Sequence, residues 1–328
     1  MMQFDLPKLV SKIRKKKAKI VAIQVPEGMK QQLLSLAAEI GQKAKVKAVA
    51  FVEPCFGACD AKDNEAKELG ADLLVHFGHT QFLPKQSLPT IFVPLFFGEE
   101  KAAGSMAEKI AVEMERKGSK KIALCGTAQF LPFLEPVAGQ LKKKGFSVFI
   151  GKGKNVEKGQ VLGCNYGSVK AVEKEVEAVV FLGDGLFHPL GLSFSTKKPV
   201  FAADPIQGGV KEISVQRDLF LRRRIAMIEK ARQANTIAIW VSEKKGQQKI
   251  GLAEKLRGKL EKNGKRVLVI ASDLIKPEHV EGMGIEAIVC TACPRIALDD
   301  SSLFRQPVIN PSEALIMLGE KKIEEYEF

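Results

Sequence analysis

Short apolar runs rich in Val, Ile and Ala alternate along this chain with longer stretches whose apolar residues recur at helical spacing. Three segments carry the pattern most clearly: KIVAIQVPEGMKQQLLSLAAEI from Lys19, KIALCGTAQFLPFLEPVAGQLKKKG from Lys121 and TIAIWVSEKKGQQKIGLAEKLRGKLEKNG from Thr236. Each predicts a strand, a glycine-containing loop and an amphipathic helix. A second strand follows each one, in VKAVAFVEP, FSVFIGK and KRVLVIAS. The third strands are GADLLVHFGHT (Gly70–Thr80), VEAVVFLGDGL (Val176–Leu186) and GIEAIVCTACP (Gly284–Pro294). They share an acidic residue, an apolar run and a small residue at the strand tip. The fourth are LPTIFVP at Leu88, KKPVFAADP at Lys197 and RQPVINP at Arg305, whose shared prolines Pro89, Pro199 and Pro307 stand 110 and 108 residues apart.

Four equivalent elements in one order, repeated three times, define an internal repeat. Short apolar strands alternating with helices imply parallel sheets covered on both faces. The expected fold is therefore α/β, with three repeated small doubly wound parallel-sheet domains at residues 1–100, 101–208 and 209–328. In such sheets ligands gather beyond the carboxyl ends of the strands, so three domains set around a common centre would share a site there. The stretch EISVQRDLFLRRRIAMIEKARQAN predicts a long helix entering the third unit, with Arg222, Arg223 and Arg224 on a solvated face.

A chain of 328 residues with 45% hydrophobic content has material for two or three cores. It contains no run of the roughly 18 apolar residues that a membrane span requires. Its start, MMQFDLPKLVSKIRKKKAKIVAIQ, is basic and amphipathic but does not read as a secretory signal, so a cytoplasmic location with reduced thiols is expected. The net charge of +13 raises a nucleic-acid reading, but only two Tyr and one Trp are present and no basic–aromatic platform forms. A nucleic acid is not the expected substrate. The lysines fit solvated helix faces, as in QLKKKGF, and a basic surface that docks an acidic or ribosome-associated protein.

The six cysteines are Cys55, Cys59, Cys125, Cys164, Cys290 and Cys293. Cys59 follows the second strand of the first repeat, Cys164 the second strand of the second, and Cys293 the third strand of the third. Each sits beside Gly, Ala or Pro at a strand end. Three converging thiols would make a metal site, whereas Cys55, Cys125 and Cys290 read as packing residues. A zinc site built from Cys55, Cys59, Cys290 and Cys293 is the alternative, and it leaves Cys164 without a role.

The segments FGACD around Cys59, LGCNYG around Cys164 and TACPRIALDD around Cys293 resemble, in this order, the three cluster motifs of the diphthamide synthase family in its archaeal form. FLGDGLFHPLGL and RDLFLRRRIAMIEKA are similar to further segments of that family, and the resemblance spans nearly the whole chain with its triplication. Phe56 stands where Tyr is common in the family.

The resemblance implies a 4Fe–4S cluster held by Cys59, Cys164 and Cys293, with one iron free to bind S-adenosylmethionine. It implies reductive cleavage to a 3-amino-3-carboxypropyl radical and methylthioadenosine, with transfer of the group to a histidine of translation elongation factor 2. An external electron donor and a homodimer are implied as well. On this reading Gly57 and Ala58 let the backbone come close while Cys59 faces an iron. His79 and Asp184 align with Cys293 in the repeat, so they are expected to face the central cavity and contact the cofactor or the incoming histidine. Arg295 is a candidate for the methionine carboxylate, or else a brace for Asp299 or Asp300. His188 is a further candidate. The alternatives are a quinolinate-synthase-like iron–sulfur lyase and a non-catalytic ligand-binding protein.

Overall fold

The computed structural model describes residues 4–97 and 102–328. In the first repeat, helix α1 (Leu6–Lys15) leads to β1 (Ile20–Gln24), α2 (Leu33–Ala44), β2 (Lys47–Ala50), α3 (Asp63–Glu68), β3 (Leu73–Phe77) and β4 (Thr90–Val93). The second comprises α4 (Ala103–Lys117), β5 (Lys121–Gly126), α5 (Leu131–Lys143), β6 (Ser147–Phe149), α6 (Gly167–Lys170), β7 (Ala178–Leu182), α7 (Phe187–Ser195), β8 (Val200–Asp204) and β9 (Gly209–Glu212). The third runs through α8 (Ser214–Gln233), β10 (Thr236–Ser242), α9 (Ile250–Lys262), β11 (Arg266–Ser272), β12 (Ala287–Cys290), α10 (Pro294–Leu298), β13 (Val308–Ile309) and α11 (Pro311–Met317).

The three sheets have equivalent orders: β2-β1-β3-β4, β6-β5-β7-β8-β9 and β11-β10-β12-β13. All pairs are parallel except β8 with β9. In each, the chain starts on the first strand, moves outward to the second, then crosses back to the third. The crevice at that reversal, beyond the carboxyl ends of the first and third strands, is where doubly wound sheets bind ligands.

Alternate residues of the central strands feed two separate cores. In the first sheet Val21, Ile23, Leu73, Val75 and Phe77 pack on one face and Ala22 and Leu74 on the other. The second sheet divides Ile122, Leu124 and Val180 from Ala123, Cys125 and Phe181. The third divides Ile237, Ile239 and Val289 from Ala238, Trp240 and Cys290. Strands buried on both faces need continuous apolar sequence, which explains the short runs rather than an alternating pattern. Cys125 and Cys290 are core residues, as expected of them.

The acidic residue shared by the third strands has a structural use. Asp72 Oδ2 accepts from the backbone N–H groups of Lys19 and Ile20, at 2.7 and 2.9 Å. Glu177 does the same for Lys120 and Lys121, and Glu286 for Asn235. Each carboxylate thus satisfies N–H groups where the neighbouring first strand begins, and this fixes register. The repeat prolines act on the other side: the carbonyls of Pro89, Pro199 and Pro307 accept from Leu74, Val179 and Ile288 of the third strands.

Two features differ from the sequence reading, and one boundary is not described. The second sheet gains the antiparallel strand β9 and continues to Glu212, past residue 208. The reversal is made by Asp204, whose Oδ1 accepts from Ile206 and Gln207, and by Gly208, whose φ of +75° suits a residue without a Cβ. The junction expected at residues 100 and 101 lies outside the described residues. Arg224 is not on a solvated face. It is 3% exposed and forms a fork with Glu313, Nε to Oε1 at 2.6 Å and Nη2 to Oε2 at 2.7 Å, while donating to the carbonyls of Ala297 and Val308.

Candidate functional site

Loops from all three repeats converge on one cleft of about 220 Å³. The first repeat contributes Phe56–Cys59 and His79–Phe82, the second Thr127–Gln129, the strip ending at Cys164, and Phe187 and His188, and the third Cys293–Arg295. Cys59, Cys164 and Cys293 all line it, and none of the three is in a disulfide. His79, His188 and Arg295 share the wall. Asp184 does not: it is exposed at the end of β7 and is absent from the lining. Its equivalence to Cys293 in the repeat gives it the strand-tip position, but not a place in the cleft.

Backbone space explains the small residues beside the cysteines. A Cβ on Gly57 would lie 3.2 Å from Cys59 Sγ, and one on Gly163 would lie 2.1 Å from Phe187 Cε1. Across the cleft, the loop after β10 is seated on the Cys59 turn. The Gly246 N–H donates to the Cys59 carbonyl at 2.9 Å, and a Cβ there would fall 2.5 Å from Cys59 Cα. Gln247 Nε2 lies 3.4 Å from Cys59 Sγ.

The same loop docks by charge. Lys244, 7% exposed, pairs with Asp60 at 3.2 Å and Asp273 at 2.9 Å, and Lys245 pairs with Asp63 at 2.9 Å. Burial pushes the Asp60 carboxyl above the usual range, and Lys244 works against that rise. Contacts at the other repeat junctions include uncharged and cation–π ones. Gln160 Nε2 donates to Thr80 Oγ1 at 2.8 Å, and the Arg295 guanidinium lies 4.8 Å from the Phe187 ring centroid.

Burial is the first cause of a raised pKa at all three cleft thiols, and Cys293 is pushed up to about 12. Charge on Cys59 also opposes ionisation of Cys164, and charge on both opposes that of Cys293. Three thiols that resist ionising together gain most from a shared cationic partner. The sulfur donor set suits iron–sulfur or other soft-metal ligation. The zinc alternative would need Cys55 and Cys290 in the wall, and both are buried away from it.

A polar chain not anticipated from sequence ends at the cleft. The Lys62 N–H donates to Gln24 Oε1 at 3.1 Å, while Gln24 Nε2 donates to the Asp60 carbonyl at 2.8 Å. His76 Nδ1 lies 2.8 Å from the same Oε1, and His76 Nε2 lies 2.9 Å from His79 Nδ1. Cys55 Sγ, His76 and His79 offer ligand atoms within 4.8 Å of one another, and a hydrogen bond joins the two rings. Burial holds both imidazoles below the ordinary histidine range, His79 at about 4. His188 is held at about 4 by burial and by the charge of Arg295. Arg295 Nε donates to Asp299 at 2.8 Å, so the brace that the sequence offered as one reading is present. No partner is found for its Nη atoms among the described residues.

Residues 25–327 match the family model described as "Putative diphthamide synthesis protein". The chain is 37% identical over its full length to 2-(3-amino-3-carboxypropyl)histidine synthase of Pyrococcus horikoshii, covering 94% of that relative. It is 29% identical to the synthase of the same name from Methanocaldococcus jannaschii, covering 94% of this chain and 87% of the relative. It superposes on the crystal structure of Dph2 from Pyrococcus horikoshii with 4Fe-4S cluster with a TM-score of 0.90 and 35% identity, covering 100% of this chain and 94% of that one.

Proposed function

The chain belongs to the diphthamide synthesis protein family, and from that premise we infer that it is a 2-(3-amino-3-carboxypropyl)histidine synthase. It transfers the 3-amino-3-carboxypropyl group of S-adenosylmethionine to a protein histidine, the first step of diphthamide synthesis, and its cofactor is a 4Fe–4S cluster. The cluster ligands assigned by this reading are Cys59, Cys164 and Cys293. The observation that carries the assignment is one small-residue-flanked thiol from each repeat in the wall of one cleft. When bound, a cluster with three protein ligands supplies one electron to the sulfonium and an open iron for the amino and carboxylate groups of its methionine end.

The chain's own residues supply position and dryness. Gly57, Gly163 and Gly246 let the loops approach; Phe56, Phe82 and Phe187 make much of the wall apolar. Arg295, braced through Nε by Asp299, retains terminal nitrogens suited to a carboxylate. His79 and His188 face the same space and are read as contacts for S-adenosylmethionine or the target histidine; Asp184, outside the lining, is given no such role.

The protein substrate in this reading is translation elongation factor 2, which must present a histidine at the cleft mouth. An external electron donor brings the cluster to its reduced state before turnover, and a homodimer is retained on family resemblance. No described helix is long and apolar enough to cross a membrane. The test of the ligand set is anaerobic reconstitution. Cys59→Ala, Cys164→Ala and Cys293→Ala should each lose most of the iron–sulfur absorbance and acid-labile sulfide, whereas Cys125→Ala keeps both. Loss in Cys125→Ala with retention in Cys164→Ala would overturn the assignment, and a wild type that binds no iron would favour a non-catalytic binding protein.

A further inference from the structure

Moving an alkyl group from a sulfonium to an imidazole carbon has a fixed balance. One C–S bond and one C–H bond break, one C–C bond forms, and a thioether and one proton are released. In a radical route, one electron enters at the sulfonium and one leaves when the adduct regains aromaticity, so the net reaction consumes none. The proton must still be taken up. We propose that His79 Nε2 accepts it, with His76 and Gln24 fixing the tautomer that leaves this nitrogen bare. The proposal rests on the synthase reading above and names a residue for a step that reading requires.

The tautomer follows from the donors. Gln24 is oriented by Lys62 N–H, which can only donate, so the atom it meets is the amide oxygen. The opposite end of the amide donates to the Asp60 carbonyl, consistent with that orientation. His76 Nδ1 faces the same oxygen at 2.8 Å and therefore carries a hydrogen. In the neutral ring, His76 Nε2 is then an acceptor, and the 2.9 Å contact is a donation from His79 Nδ1–H. His79 Nε2 is left with its lone pair, on a residue that lines the cleft; the Phe77 carbonyl beside the ring can only accept, so it supports the ring N–H and does not engage that lone pair. The rings lie at the topological reversal of the first sheet, Gln24 ending β1 and His76 within β3.

His188 also lines the cleft, but it is less suited to receive a proton. It stacks on Phe181 at 5.8 Å and meets Phe187 edge-on, and the Arg295 charge opposes a second positive charge there. No cation among the described residues opposes His79 in that way; a protonated His79 can share its charge with His76 through the Nδ1 hydrogen bond. A weak base is sufficient, because the departing C–H hydrogen sits on a cationic, non-aromatic ring and its loss restores aromaticity.

The experiment measures two products in one anaerobic reaction of the cluster-loaded, dithionite-reduced protein with S-adenosylmethionine and elongation factor 2: methylthioadenosine released and mass added to the factor. His79→Gln keeps an N–H donor for His76 but has no basic nitrogen; His79→Ala leaves a space that imidazole can enter. The expected result is iron and sulfide content equal to wild type, with the ratio of factor modified to methylthioadenosine released falling roughly a hundredfold, the scale of one general base. Added imidazole should raise that ratio in His79→Ala and not in His79→Gln. An unchanged ratio in both variants overturns the proposal, as does a parallel fall of both products without imidazole rescue. A wild-type protein that adds no mass to the factor fails at the synthase reading itself, which separates the two failures.

Discussion

At Gly246, space rather than backbone conformation demands glycine. A Cβ would sit 2.5 Å from both Cα and Cβ of Cys59, too close for any rotamer change to relieve. Gly246→Ala should therefore displace the Cys59 turn and lower cluster content after reconstitution, while Gly251→Ala in α9, where nothing lies within 4 Å, should load normally. Equal iron and sulfide in the two variants would contradict this. The histidines give a second residue-scale expectation. Their folded pKa values lie below the ordinary 6.5, with His79 at about 4. The stability tied to their neutral forms is fully present above about pH 6.5 and is lost as pH falls toward the folded values. Melting temperature should decline between pH 6.5 and 4, with a shallower decline in His79→Gln; an unaltered slope would refute it. That Cys59, Cys164 and Cys293 would share one cleft was legible because small residues flag strand-end turns, and the place of His79 there followed from its repeat equivalence to Cys293. Gln24 and His76 were not. Each is a polar residue inside an apolar run, and only the packed sheet shows that their partners are each other.

The element whose role the sequence concealed is α8. Three consecutive arginines on a helix point in three directions, and their identity does not say which faces inward. Arg224 does, tying α8 to Ala297 of α10, Val308 of β13 and Glu313 of α11. Glu313 also accepts from Tyr326 and from the Asn310 N–H, completing the cap of α11. Removing one partner leaves a buried charge alone, so Arg224→Met should cost about 3–5 kcal/mol in urea unfolding. Arg224→Met combined with Glu313→Leu should recover part of that, though Tyr326 and Asn310 then lose an acceptor. Because Ala297 belongs to the helix that starts after Cys293, the single variant should also load less iron. Stability within about 1 kcal/mol of wild type would contradict the assignment. By contrast, the shared acids and prolines were readable as a period, and Asp72, Glu177, Pro89 and Pro199 turn out to be hydrogen-bonding points of the sheets themselves.

At the scale of the whole molecule, the triplication was legible and the way the copies interlock was not. Lys244 and Asp60 are far apart in sequence yet form a buried pair, and no local pattern marks a lysine in a loop as the seat of a junction. The consequence is functional, since that junction carries the third repeat onto the Cys59 turn. The central claim is that three repeats close around one cleft to cleave S-adenosylmethionine toward its amino acid end. The most direct test is the identity of the nucleoside released in a single anaerobic turnover of the reduced protein with S-adenosylmethionine and elongation factor 2. Methylthioadenosine, together with an aminocarboxypropyl group added to one histidine of the factor, is the predicted result. Release of 5′-deoxyadenosine, with the factor unchanged in mass, would contradict the claim even if all three cysteines hold iron.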